Sequence, residues 1–145
     1  MQEIKRTQWL PYSAEAIYTV LTDVEKFAQI VKRVDSLTVL ERDDIRGKVK
    51  AVVDLPGGKI FQTEGVVIGD HNQNLSFQTQ EPFPLEIHWA LQAETRNHTM
   101  GTLVDYTIRV DLSPIIAFVP DVVLNGYLSA EMDGDLKRLE ALMQA

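Results

Sequence analysis

Hydrophobic and polar residues alternate through most of the chain between positions 36 and 111, which is the spacing of β-strands that bury one face. Residues that favour turns, chiefly Gly, Pro, Asn and Asp, interrupt the alternation. The interruptions fall at 43–47, 56–58, 69–72, 82–84 and 96–101. They delimit strands near 36–42, 47–55, 59–68, 74–80, 85–95 and 101–112. The pattern therefore predicts an antiparallel meander.

The two ends of the chain add one strand and three helices to this meander. Residues 3–10 alternate loosely before Pro11 and predict the first strand. Ser13 is suited to cap a short helix over 14–21, and Thr22 and Asp23 offer a cap for a second from 24 to about 31. A long amphipathic helix is predicted from Pro120 to about Met143. Its apolar residues recur at spacings of three and four: Leu124, Leu128, Met132, Leu136, Leu139 and Met143. Its charged residues are expected mostly on other sides: Asp133, Asp135, Lys137, Arg138 and Glu140.

These elements predict an α+β fold. A sheet of seven antiparallel strands twists and curls, and its concave face must be covered by apolar surface. We expect two short helices after strand 1 and the long C-terminal helix across that concave face. The whole chain, 1–145, is expected to form a single domain. Where the curvature exceeds the reach of the side chains, sheet and helix should enclose an apolar pocket.

The amino-acid sequence of the N-terminal part resembles that of a known protein family. The segments LPYSAEAIYTVLTDVEKF (10–27) and SLTVLE (36–41) are similar to the START-like superfamily. Within this superfamily, the sequence is more specifically similar to the polyketide cyclase/dehydrase and lipid-transport group, which includes coenzyme Q-binding proteins. This resemblance implies a helix-grip fold over the full length, with the order of elements predicted above. Because the superfamily also contains hydrolases, hormone receptors and phospholipid carriers, the resemblance indicates the fold more than the ligand.

Composition and charge narrow the function classes. A net charge of -7 and a pI near 4.9 disfavour a nucleic-acid surface, which needs clustered cations. The cluster of Lys26, Lys32 and Arg33 is interpreted as the solvated side of a helix. Without cysteine the chain has no disulfide, thiolate zinc site or cysteine nucleophile. No signal peptide and no transmembrane segment are recognisable, so we expect a cytoplasmic protein.

The expected pocket has candidate lining residues on the sheet and on the long helix. Trp89 and Tyr106 combine a large apolar surface with one polar atom, a combination suited to orienting an apolar ligand. The full set of candidates is Ile87, Trp89, Tyr106, Ile108, Phe118, Tyr127, Leu128 and Met132. The alternative is that these residues are ordinary core. Gly126 and Gly134, inside the helix, either leave room for a ligand or for opening of the helix, or they serve close packing or are tolerated on its exposed side.

The sequence indicates catalytic residues less clearly than it indicates pocket-lining residues. Tyr106, His88 and Glu64 are weak candidates for proton transfer, and Glu64 would qualify only if its side of the strand were buried. The histidines lack metal-binding spacing, so no metal and no cofactor are expected.

The first hypothesis is therefore binding or transport of a hydrophobic small molecule such as a lipid, quinone or polyketide, with transient contact to a membrane or protein. The alternatives are a polyketide cyclase or dehydratase, and a protein-interaction module using the apolar segment 115–119.

Overall fold

The computed structural model describes residues 2–43, 46–55, 59–114 and 120–144. Within these ranges, strands and helices follow in the predicted order. The N-terminal elements are β1 (Gln2–Leu10), α1 (Ala14–Leu21) and α2 (Val24–Ile30). The meander consists of β2 (Val34–Arg42), β3 (Arg46–Leu55), β4 (Lys59–Asp70), β5 (Asn74–Thr79), β6 (Leu85–Arg96) and β7 (Thr99–Val110). The last element is α3 (Asp121–Gln144).

The strands form one antiparallel sheet of seven in the order β1-β7-β6-β5-β4-β3-β2. The predicted meander is confirmed, because β2 to β7 are neighbours in chain order and β1 pairs with β7. The largest differences lie at strand ends. For example, Gly69 and Asp70 continue β4 and pair with Leu75 and Asn74. The turn that follows is correspondingly tight, with Asn72 at a φ of 62°.

Ser13 caps α1 as predicted, and of the two candidates for α2 the cap is Asp23, while Thr22 ends α1. The Ser13 side chain accepts a hydrogen bond from the Ala16 amide at 3.1 Å. The Asp23 carboxylate accepts from the amides of Glu25 at 3.1 Å and Lys26 at 3.2 Å. Each cap satisfies amides that the first turn leaves unpaired, which fixes where both helices begin.

Helix α3 packs against the inner face of the sheet. Its buried residues are Leu124, Leu128, Met132, Asp135, Leu136 and Leu139. The apolar members join Trp89, Tyr106 and Ile108 of the sheet in one hydrophobic core. This arrangement confirms the α+β helix-grip fold with the C-terminal helix across the concave face.

One residue of α3 departs from the prediction. Asp135 was expected on a polar side of the helix, but its side chain is completely buried. It lies three residues after Met132 and four before Leu139, so helical geometry places it on the same face as both. A carboxylate on that face needs partners within the core, and these are described below.

The two helical glycines have little to do with space for a ligand. Gly126 is exposed, and a Cβ added there would meet nothing within 4 Å. A Cβ at Gly134 would lie 3.1 Å from the Arg138 guanidinium. Of the alternatives for Gly126, tolerance on the exposed side of the helix is therefore the correct one, and room for a ligand is not.

We predict opposite effects of alanine at two glycines. At Gly101 in β7, a Cβ would overlap the Leu10 carbonyl oxygen and the Trp9 ring, so Gly101→Ala should destabilise the fold by about 1–3 kcal/mol. Gly126→Ala should raise the free energy of unfolding by up to about 1 kcal/mol, because alanine favours helix. Urea denaturation of both variants checks the pair. Equal effects would contradict the packing described here.

Candidate functional site

A cavity of ≈ 210 Å³ lies between the inner face of the sheet, helices α1 and α2, and the N-terminal half of α3. Its lining is mainly apolar. A water molecule needs only about 10–15 Å³ of such space, so the cavity is large enough for an organic molecule. Protein cavities with apolar walls and a few polar groups are the usual sites for small apolar ligands.

All three helices and every strand from β2 to β7 contribute to the wall. Strand β3 contributes the alternate residues Val49, Ala51 and Val53, all buried, because side chains two apart in a strand share a face. Strand β6 contributes Ile87 and Trp89 by the same alternation. Helix α3 provides the opposite wall, which consists of Leu124, Tyr127 and Leu128.

The candidate lining residues fall into three groups. Five of them reach the cavity: Ile87, Trp89, Ile108, Tyr127 and Leu128. Tyr106 and Met132 are completely buried and are not part of the lining. The Tyr106 ring stacks on the Trp89 indole, with centroids 3.8 Å apart and planes at 11°. Phe118 lies outside the described residues, as does the rest of segment 115–119.

A buried polar cluster lies beside the cavity, around Asp135. The Tyr106 hydroxyl donates a hydrogen bond to Asp135 Oδ2 at 2.8 Å. Arg138 Nη2 contacts Asp135 Oδ1 at 2.6 Å, and Arg138 Nε donates to the Ile30 carbonyl oxygen at 2.6 Å. Arg33 Nη2 lies 3.5 Å from both Asp135 Oδ2 and the Tyr106 hydroxyl. The cluster therefore joins α3 to β7 and to the end of α2.

Burial governs the protonation of this cluster. Desolvation raises the pKa of Asp135, although Arg33, Tyr106 and Arg138 act in the opposite direction. Burial also raises the pKa of Tyr106 well above its usual value. Tyr106 is therefore a neutral phenol at physiological pH, which is the form that can donate to the Asp135 carboxylate.

Arg33 is a cavity-lining side chain that the sequence interpretation missed. Its side chain is only 11% exposed and it lines the cavity, so the assignment to a solvated helix face is wrong. Helix α2 ends at Ile30, and Arg33 already belongs to the connection into β2. Its carbonyl oxygen accepts from the Asp54 amide at 2.7 Å, which fixes the backbone there. The helical spacing used for Arg33 does not apply beyond the end of the helix.

The other two candidates for proton transfer lie outside the cavity. Glu64 is exposed and pairs across the sheet with Lys50, so the buried side of β4 is the other one, with Thr63, Gly65 and Val67. A buried carboxylate at Glu64 is thus excluded. His88 lies on the face of β6 opposite to Trp89.

In the described part of the chain, acidic and histidine side chains form no group of three or more that could hold a metal ion. None of its helices combines the length and the apolar character that crossing a membrane requires.

Comparison with protein-family models identifies a family that agrees with the helix-grip fold. The model of the polyketide cyclase/dehydrase and lipid transport family matches residues 10–130. No curated protein sequence matches the chain at a significant level.

Solved structures share the fold at low sequence identity. A Thermus thermophilus protein is 22% identical, with a TM-score of 0.73 over 99% of this chain and 97% of its own. The Zhui aromatase/cyclase from Streptomyces is 16% identical, with a TM-score of 0.73 over 99% and 93%. A START superfamily protein from Mycobacterium smegmatis is 17% identical, with a TM-score of 0.73 over 98% and 97%.

We predict that two aspartates of α3 differ sharply in their contribution to stability. Asp135→Ala leaves Tyr106 and the arginines without their buried acceptor and should cost about 3–5 kcal/mol. Asp133→Ala removes an exposed ion pair with Arg6 and should cost less than about 1 kcal/mol. Urea denaturation measures both free energies of unfolding. Similar losses would show that the Asp135 cluster does not support the fold.

Proposed function

Because the chain belongs to the polyketide cyclase/dehydrase and lipid transport family, we propose that it binds a hydrophobic small molecule in the cavity beneath α3. The observation that carries the proposal is the ≈ 210 Å³ space with mainly apolar walls. Filling such a space removes apolar ligand surface from water, which favours binding by about 25 cal/mol per Å². Lipids, quinones and polyketides all offer apolar surface of this kind, and carrying such a compound requires no catalytic group.

The lining includes polar groups among the apolar walls. Tyr18, Tyr127 and Arg33 reach the cavity beside residues such as Val49 and Leu128, and the charged residues Glu41, Arg42, Asp43 and Arg46 line it where β2 ends and β3 begins. A few polar groups in an apolar site orient a ligand without making the site too polar to fill. The proposed ligand is therefore mostly apolar with a polar end.

A cyclase or dehydratase acting in the same cavity is the second candidate. Tyr18 and Tyr127 supply two phenols at the lining, and burial is the main reason that the pKa of each is raised. A protonated phenol in contact with a substrate can serve as a general acid. Tyr106, one of the residues first considered for this role, is bound to Asp135 and stacked on Trp89 instead. A co-purified compound that is chemically changed on incubation with the protein would favour this candidate.

We predict that filling the cavity abolishes ligand uptake. Ala51 is 2% exposed and lines the cavity, so the ring of Ala51→Phe should occupy the space that a ligand needs. The matched control is Ala90→Phe, on the opposite face of β6 from Trp89. Titration calorimetry with decan-1-ol should show saturable binding to the wild type and to Ala90→Phe, and at least tenfold weaker binding to Ala51→Phe.

The two variants also separate binding from folding. A real space accommodates the new ring, so Ala51→Phe should remain folded by circular dichroism. Failure of decan-1-ol to bind the wild type, or equal binding by both variants, would contradict the proposed cavity function.

A further inference from the structure

The Arg33 side chain carries hydrogen-bond donors that the protein does not fully use. Its Nε is buried and has no acceptor among the described residues. Its Nη2 lies 3.5 Å from both Asp135 and Tyr106, at the outer limit of a hydrogen bond. Buried donors almost always have a partner, because leaving one unpaired costs free energy. An acceptor supplied from within the cavity would complete the bonding of Arg33.

A second lining residue, Trp89, also has a buried N–H group without an acceptor within the described ranges. Trp89 is 1% exposed, and its Nε1 has no hydrogen-bond partner in the described part of the chain. Its ring stacks on Tyr106, whose hydroxyl lies 3.5 Å from Arg33. Arg33 and Trp89 therefore border the cavity around the same tyrosine. Both offer N–H groups, so the chemistry that they complement is an acceptor oxygen.

The charge of the cluster favours a negatively charged acceptor. Arg33 and Arg138 share the single negative charge of Asp135, and Arg138 makes the shorter contact, at 2.6 Å against 3.5 Å. The positive charge of Arg33 is therefore incompletely neutralised by Asp135, and protonation of Asp135 would remove that partner charge altogether. Asp54 and Glu131 act on Tyr127 together with Arg33, so they lie at the same end of the cavity. Both side chains remain partly exposed to water, which screens them more than the buried group.

We propose that the cavity selects amphiphilic carboxylates, with the apolar part against the walls and the carboxylate on the Arg33 guanidinium. A guanidinium binds a carboxylate through parallel N–H groups, and such charge-assisted bonds are about twice as strong as neutral ones. This inference rests on the proposed function and specifies its ligand class. Asp135 and Tyr106 act as positioning residues, because their contacts orient Arg33 at the cavity surface.

The experiment compares decanoate with decan-1-ol, two compounds with the same chain length and different head groups. Titration calorimetry at neutral pH, where the acid is ionised, gives both affinities. The wild type should bind decanoate at least about tenfold more tightly, which corresponds to 1.4 kcal/mol. Arg33→Gln should lose this preference while keeping its affinity for decan-1-ol. The control Arg109→Gln removes a surface cation paired with Glu3 and should keep the preference.

The outcomes of this experiment distinguish failure of the carboxylate assignment from failure of cavity binding. Equal affinities in the wild type, or a preference that survives in Arg33→Gln, would overturn the carboxylate assignment and leave cavity binding standing. Failure of decan-1-ol to bind the wild type would contradict the proposed function itself. If Arg33→Gln does not fold, Arg33→Lys keeps the charge but lacks the planar guanidinium. An unreduced preference in that variant would also overturn the assignment.

Discussion

The fold depends on the ion pairs and hydrogen bonds that stabilise the buried carboxylate of Asp135. A carboxylate in an apolar core is costly unless ion pairs and hydrogen bonds offset its loss of water. Here Tyr106 from β7 and Arg138 from the same helix bond to it directly, and Arg33 approaches from the connection after α2. These contacts require α3, the sheet and α2 to keep one arrangement. The cluster thus sets the position of α3 over the sheet.

The position of the cluster along α3 explains where the cavity lies. In the C-terminal half of the helix, Met132, Leu136 and Leu139 are almost fully buried in the core beside Asp135. In the N-terminal half, Leu124, Tyr127 and Leu128 instead line the cavity. One half of the helix is therefore fixed by packing and charge, and the other half covers the space. Because the N-terminal half of α3 is not packed tightly against the sheet, a ligand can lie between this part of the helix and the sheet.

The sequence predicted what local patterns determine. Alternation placed Ile87 and Trp89 on the buried face of β6, and Ser13 and Asp23 cap their helices as expected. The spacing of Asp135 from Met132 and Leu139 already places it on the buried face of α3, and only its charge argued against burial. The partners that make its burial possible, Tyr106 and Arg33, lie 29 and 102 residues away, so local spacing could not reveal them. Arg33 was misplaced because the helix assumed for it ends at Ile30. The β3 wall around Ala51 was also not named, because its alternation reveals a buried face but not what lies opposite to it.

The central claim, an apolar space that a ligand can occupy, is tested most directly by methyl NMR during addition of decan-1-ol. We expect shifts of the methyl signals of Val49, Val53 and Leu128, which line the cavity. Ile60 and Ile68 are exposed on the other face of the sheet and should remain unchanged. Shifts confined to those two isoleucines, or no shift at any lining methyl at saturating alcohol, would contradict the account.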